Sequence, residues 1–223
     1  MMASTDNVNV NTLDVIKQEK VPVEESYNIT VIEPKNCCGK CLSNVDNFDK
    51  KISQPLQSYT PNLVIELIFL IFAKSFNTIT IILYLVLILL YSVFISKNIN
   101  IFLVPFIHVI IGVLITLILK KLFGRERPNL SVKKYFEKVR TRETMESMPS
   151  GDCLQSANFS FMIIFYFENK IKFFSLCFIP MTMIGRVFYC CHYWLDCFVG
   201  AVLGIGVSYL SHFIINKFNI NNF

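Results

Sequence analysis

Charged residues are scarce in this chain of 223 residues: Asp, Glu, Lys and Arg make up 17% of it. A soluble domain usually has about a quarter of its residues charged. Tryptophan occurs once and glycine 8 times, whereas hydrophobic residues reach 53%. Because these apolar residues come in long blocks and are not spread as in a soluble core, the composition predicts an integral membrane protein.

The sequence also lacks an early apolar block and a secreted pattern of cysteines. Its first apolar block follows some sixty polar residues, so no signal peptide is expected. Five of the 8 cysteines lie within or beside apolar stretches, which predicts reduced thiols and not a disulfide framework. The cluster Cys37-Cys38-Gly39-Lys40-Cys41 lacks the fourth ligand of a zinc site, which leaves free cysteines or acylation near a membrane as its interpretations.

Polarity divides the chain into three parts. Residues 1–61 contain six Lys and eight acidic residues and show no sustained period of 2 or 3.6, so we predict a mostly disordered tail. Residues 62–217 form the predicted transmembrane domain, and residues 218–223 a short C-terminal tail.

The apolar blocks beyond residue 62 fit six membrane spans, of which the first is short and contains Glu66 and Lys74. A helical span needs about 20 apolar residues, and only helices fit runs without the alternation of a barrel. The predicted fold class is therefore all-α, a polytopic bundle of six transmembrane helices. The spans are 63–76, 78–96, 101–119, 153–167, 171–189 and 195–215.

Three polar segments lie at the ends of these spans. The long loop from Lys120 to Asp152 contains nine Lys or Arg residues and five acidic ones, and such a loop is where a site is expected. Because consecutive helices alternate in direction, the ends of spans three and five and the starts of spans four and six share one face of the membrane. The segments are Lys120 to Pro128, Pro149-Ser150-Gly151-Asp152, and Arg186 to Asp196.

This cluster has the chemistry of a phosphate site. Lys120, Arg127 and Arg186 supply cationic donors, and a guanidinium matches phosphate oxygens with paired hydrogen bonds. Ser150 and Gly151 begin a helix, where free N–H groups and the helix dipole favour an anion.

His192 and Asp196 are four residues apart, so they share a face of a helix. A carboxylate beside an imidazole selects its tautomer and raises its basicity. An imidazole held in this way beside a bound phosphate can attack phosphorus, which predicts cleavage of a phosphoester at the membrane surface.

The spacing Lys120-x6-Arg127-Pro128, then Pro149-Ser150-Gly151, then Arg186-x5-His192-x3-Asp196 resembles the signature of the type 2 phosphatidic acid phosphatase (PAP2) superfamily. That superfamily includes lipid phosphate phosphatases, polyisoprenyl diphosphate phosphatases and vanadium haloperoxidases. The resemblance covers roughly residues 60–215 and implies a six-helix phosphatase that needs no metal or other cofactor. It implies that His192 forms a phosphohistidine, that Asp196 orients it, and that the cations with the Ser150 and Gly151 amides hold the phosphoryl group.

Two positions depart from that signature. Gly185 stands where the family usually has Ser, which removes one hydrogen bond to phosphate. Asp152 stands where the family has the His that protonates the leaving oxygen. A carboxylate among cations is a poor acid near neutral pH. We count Asp152 with His192 and Asp196 as a catalytic residue that either shares a proton with bound phosphate or acts in some other way, and the alternative is that it is only a helix N-cap.

The resemblance implies a substrate that is a lipid phosphate or an isoprenoid or dolichyl-type diphosphate. The predicted partners are this lipid and membrane lipids, without nucleic acid, and the oligomeric state is left open. Two other functions stay open: a lipid phosphotransferase, and a catalytically impaired scaffold. We expect an endomembrane such as the endoplasmic reticulum, with the site in the lumen and both termini on the opposite face.

Overall fold

The structure is a computed structural model that describes residues 37–129, 134–136 and 146–220, without the side chains of residues 37–42 and 171. Regular structure in the described ranges is helical, apart from one isolated bridge between Glu126 and Glu146. The helices are α1 (Cys37–Ser58), α2 (Leu63–Lys74), α3 (Thr78–Tyr91, continued by a π-helical turn at Ser92–Ser96), α4 (Asn100–Phe123), α5 (Gly151–Tyr166), α6 (Phe178–Phe188, preceded by a 3-10 helix at Lys170–Cys177) and α7 (Trp194–Lys217). An all-helical fold is thus confirmed for this part of the chain.

Three of the helical segments are each long and apolar enough to cross a membrane: Thr78–Ser96, Asn100–Phe123 and Trp194–Lys217. Their apolar side chains are largely exposed, as in Ile79, Phe94 and Leu122. Water would disfavour so much exposed apolar surface, but acyl chains accept it. The protein is therefore an integral membrane protein.

Helices α2 and α3 together make one crossing of the bundle. The start of α2 lies at the end of the bundle that carries the polar segments, since the hydroxyl of Tyr189 donates to the carbonyl of Glu66. Its far end lies deep in the bundle, where the ring of Phe76 stands 5.6 Å from those of Phe159 and Phe178. Because α3 continues from there toward the start of α4, where its Ile88 lines a small cavity with Pro105, the first two predicted spans together make one broken crossing, and the predicted count of six spans is not confirmed.

Helix α1 corrects the prediction of disorder for part of the tail. Residues 37–58 are helical, and hydrogen bonds from Trp194 and Leu195 to Ser53 and Asp49 place them at the same end of the bundle as the polar segments, so the predicted placement of this segment on the opposite face was also wrong. The inward face of α1 is polar, with Asp49, Ser53 and Gln57 buried. A search for apolar periodicity overlooks such a helix, because its buried residues are the polar ones. The cysteines at 37, 38 and 41 are in its first turns, but their side chains lie outside the described residues.

Helices α5 and α7 form the most extensive contact between helices. Gly200 and Gly204 of α7 lie against the backbone of α5, and small residues four apart allow helices to approach this closely. Between α4 and α5, His108 Nδ1 lies 2.8 Å from Asn158 Oδ1, and Asn158 also donates to the His108 carbonyl. His108 therefore makes the interhelical hydrogen bonds that are the simplest role for an imidazole within a span.

Candidate active site

Three helix ends bring the predicted segments together. Helix α4 ends at Gly124, whose φ of +56° lets the chain leave the helix and direct the residues after it back over the bundle. Helix α5 begins at Ser150, the N-cap, and α7 begins directly after Tyr193. The Ser150 N–H donates to the Asp196 carbonyl over 3.0 Å, which joins the second and third segments through their backbones.

His192 lies in the turn between α6 and α7 and is almost completely buried. Its Nδ1 lies 3.8 Å from Asp196 Oδ2, which is beyond hydrogen-bond distance. Burial, together with the positive charges of Arg186 and Arg127, lowers the pKa of His192 to about 3 against the opposing effect of Asp196. The imidazole is therefore neutral at physiological pH, the state a nucleophile needs.

The three predicted phosphate-binding cations line the same cavity as this histidine. Arg127 Nη1 donates to the carbonyl of Cys191 over 2.9 Å and so also braces the turn that carries His192. Lys120 Nζ donates to the carbonyl of Glu146 over 2.9 Å, across the described ends of the long loop. The Arg186 side chain is buried and its Nε has no hydrogen-bond partner among the described residues. A buried, unsatisfied N–H group is one that a phosphate oxygen would satisfy.

Asp152 forms an ion pair with Arg186, with Oδ2 2.8 Å from Nη1. It is not the N-cap of α5, because that position belongs to Ser150, whose hydroxyl accepts from the Cys153 N–H. Asp152 therefore occupies part of the space around a guanidinium that would otherwise be open to phosphate.

Ser150 and Gly151 differ in what they offer a ligand. The amide and hydroxyl of Ser150 are both used within the protein, in the two hydrogen bonds just described. Gly151 lines the cavity beside Asp152. Of the two predicted amide donors, Gly151 is the one positioned to meet a phosphate.

Gly185 has a packing explanation. A Cβ atom at this position would lie 2.5 Å from the backbone nitrogen of Ala73 and 2.9 Å from its Cα. Since such contacts are far shorter than van der Waals distances, α2 occupies the space that a serine side chain would need. The close approach of α2 therefore explains why glycine, and not the serine of the family signature, stands at position 185.

Arg125 is a site residue that the sequence reasoning missed. Its Nη1 lies 2.5 Å from Asp196 Oδ1, and its Nη2 lies 2.7 Å from Asp46 and 2.8 Å from Asp49 of α1. Burial alone would lower the pKa of Arg125, but these three carboxylates raise it well above its ordinary value. In the sequence it is one of many bases in a basic loop, so only the fold distinguishes it.

A cavity of about 470 Å³ contains most of the predicted site residues at one end. Lys120, Arg127, Gly151, Asp152, Arg186 and His192 all line it. The rest of its wall is mainly apolar and comes from α3 and α4, including Ile82, Leu85, Val113 and Leu117. Lys74, at the break between α2 and α3, lines it too. The sequence marked Lys74 only as a charge within a span, although such a charge is by default a functional candidate.

The arrangement is that of a membrane protein with a cluster of cationic side chains beside an apolar groove, and comparisons with known proteins show its family. The family model of the PAP2 superfamily matches residues 102–220. A crystal structure described as the first transmembrane PAP2 type phosphatidylglycerolphosphate phosphatase from Bacillus subtilis is similar, with a TM-score of 0.65 and 18% identity over 78% of this chain and 87% of that one. The crystal structure of Aquifex aeolicus LpxE is also similar, with a TM-score of 0.56 and 17% identity over 73% of this chain and 93% of that one.

A comparison with curated protein sequences found no match. The family model nevertheless covers more than half of the chain, from early in α4 to the end of α7. The chain therefore belongs to the PAP2 superfamily, and this membership supports lipid phosphatase activity.

Proposed function

We propose that this protein is an integral membrane phosphatase that hydrolyses a lipid phosphate or lipid diphosphate through a phosphohistidine at His192. His192 and three cationic side chains line one end of a cavity whose other wall is apolar, and this arrangement supports the proposal most strongly. A lipid phosphate has the same two parts, an anion joined to an acyl or isoprenoid chain. The cavity thus matches the substrate at both ends.

In the first step, the neutral Nε2 of His192 attacks phosphorus. The N–P bond forms while the bond between phosphorus and the lipid oxygen breaks. Arg127, Arg186 and Lys120 stabilise the charge on the phosphoryl oxygens, and Asp196 stabilises the imidazolium that develops. In the second step, water attacks phosphorus and the N–P bond breaks, which releases inorganic phosphate and restores the imidazole.

Asp152 points to the class of leaving group. An alkoxide leaving from a lipid monophosphate needs a proton, and a carboxylate paired with Arg186 over 2.8 Å is poorly suited to supply it. A lipid diphosphate releases a phosphate monoester, which is a better leaving group. We therefore expect diphosphates to be better substrates than phosphatidate.

The test is release of inorganic phosphate by the purified protein in detergent, without added metal. The panel contains phosphatidate, phosphatidylglycerol phosphate, farnesyl diphosphate and a longer polyprenyl diphosphate, with the His192→Ala variant as control. Release by the wild type and none by the variant is the expected result. Release that persists in His192→Ala would contradict the phosphohistidine, and a phosphorylated acceptor formed when an alcohol is added would indicate a phosphotransferase.

A lipid-binding protein without catalysis is the second candidate. The ion pair between Asp152 and Arg186 favours it, because the carboxylate satisfies a guanidinium that phosphate would use. Binding of a lipid phosphate without release of inorganic phosphate from any panel member would establish this alternative.

A further inference from the structure

Helix α1 presents three faces to three environments. Asp46, Asp49, Ser53 and Gln57 face the site, while the polar residues Asn47, Lys51 and Gln54 face away from the bundle and are exposed. The third face is apolar and consists of Val45, Phe48 and Ile52, which are 44%, 64% and 43% exposed. Helical spacing puts these three residues side by side. A soluble protein would bury such a face, so something outside the bundle covers it.

The surroundings of this apolar face indicate what covers it. Val45, Phe48 and Ile52 share a groove with Met183 and Trp194 and with Phe198, an exposed residue on the first turns of the membrane-spanning helix α7. The apolar face of α1 is therefore continuous with the surface of α7 that faces lipid. A helix with an apolar face at this level and a polar face beside it is typical of one that lies in the interface of a bilayer.

The inward face of α1 completes the start of α7. Two of the first free N–H groups of α7 find their acceptors on α1: Trp194 donates to Ser53 over 3.1 Å, and Leu195 donates to Asp49 over 3.0 Å. The Gln57 amide lies 3.4 Å from the His192 carbonyl oxygen, to which it donates. Through Arg125, the carboxylates of α1 are also linked to Asp196. Helix α1 therefore contacts both residues of the proposed catalytic pair, His192 directly and Asp196 through Arg125.

We propose that α1 lies on the membrane surface, with Val45, Phe48 and Ile52 inserted among the acyl chains. In this position it stabilises the turn between α6 and α7 that contains His192. Arg125 is a positioning residue, because it links the acidic residues of α1 to Asp196 without lining the cavity. The effect on catalysis rests on the phosphatase activity proposed above, but the seating of α1 in lipid does not. The two parts therefore have separate tests.

Insertion of the apolar face of α1 into the bilayer is measured by tryptophan fluorescence in vesicles of phosphatidylcholine brominated on its acyl chains. The variants Phe48→Trp and Gln54→Trp place a reporter on the apolar face and on the outward polar face, and both keep the native Trp194 as a common background. We expect the emission that Phe48→Trp adds to the Trp194 background to be blue-shifted and quenched by the brominated lipid. The emission that Gln54→Trp adds should instead be quenched by iodide in the aqueous phase.

Equal bromine quenching of the two reporters would overturn the seating of this face. So would a Phe48→Trp reporter protected from both bromine and iodide, because protein would then cover the face, as in a second copy of the chain. Neither outcome depends on any enzymatic activity.

The catalytic link is tested with Arg125→Gln, and Lys121→Gln is the matched control, since Lys121 is an exposed base of the same segment. We expect kcat of Arg125→Gln to fall on the order of 100-fold with KM within about twofold, because a displaced catalytic group affects the reaction more than binding. The control should keep its kcat. Equal loss in both variants, or a loss confined to KM, would overturn the positioning role. Thermal unfolding of each variant shows whether Arg125→Gln has failed to fold, and Arg125→Lys, which keeps the charge, then provides the kcat comparison.

Discussion

Alanine substitutions at the glycines of α7 test how closely α5 and α7 pack beneath the site. A Cβ at Gly204 would lie 2.2 Å from the carbonyl oxygen of Leu154 and 2.9 Å from Cβ of Ala157, whereas a Cβ at Gly206 meets nothing within 4 Å. Ordinary contacts begin near 3.4 Å, so Gly204→Ala forces the two backbones about 1 Å apart. Overpacking of this kind costs about 1–3 kcal/mol. Gly206→Ala avoids that cost and is expected to stabilise the helix by about 0.5–1 kcal/mol.

The two variants should therefore differ by about 1.5–4 kcal/mol, or roughly 3–16 °C in Tm for a chain of this length. Thermal unfolding in detergent with a thiol-reactive fluorescent dye measures this difference, because Cys153, Cys191 and Cys197 are buried and react only after unfolding. If Gly204→Ala melts together with Gly206→Ala, the close approach of α5 and α7 is refuted.

Gly200→Ala connects the same packing to activity. Its Cβ would lie 2.4 Å from the Ser150 carbonyl oxygen, and Ser150 is joined to Asp196 by a backbone hydrogen bond. Displacement of this residue moves the start of α5 at the site, so we expect kcat to fall on the order of 100-fold. Gly204→Ala, one helical turn deeper, should lose stability with a smaller loss of kcat.

Three further predictions concern side chains of the cavity. Asp152→His should raise activity on phosphatidate relative to farnesyl diphosphate, because it supplies an acid for the alkoxide; a wild type that already prefers phosphatidate by a wide margin would contradict the leaving-group reasoning. Protonation removes the lone pair of His192, but its pKa is about 3, so the pH profile of kcat/KM should show no loss with a pKa near 6.5 on the acid side; such a loss, kept in Asp152→Asn, would contradict a neutral buried His192. Lys74→Met should weaken binding of a diphosphate, measured as KM, more than that of a monophosphate, because Lys74 adds a fourth cation to the cavity that holds the three proposed for the first phosphate; equal changes in the two KM values would argue against contact with a second phosphate.

Much of the candidate site was predictable because its residues lie at helix ends. Lys120, Arg127, Arg186 and His192 line one cavity, as expected from alternating helix directions alone. Topology needs only the order and direction of the spans, and both can be read from hydropathy. Asp196 was also expected to lie beside His192, and its Oδ2 lies 3.8 Å from His192 Nδ1.

Hydropathy was less informative where polar residues are buried and apolar residues are exposed. Helix α1 buries Asp49, Ser53 and Gln57 and exposes Phe48, which reverses the pattern that identifies a helix of a soluble domain. The break at the end of α2 was not apparent in the sequence either, since two apolar helices that share one crossing have the same composition as two separate spans.

By itself, the sequence determined that this chain is a helical membrane protein and predicted that three of its segments form a phosphate site, because apolar length and residue spacing are local properties. Only the tertiary structure decided that α2 excludes a side chain at Gly185, that Asp152 pairs with Arg186, and that Arg125 joins α1 to Asp196. These features depend on distances of a few ångströms between residues far apart in the chain. Such distances are set by how whole helices pack, and no local pattern of residues encodes them.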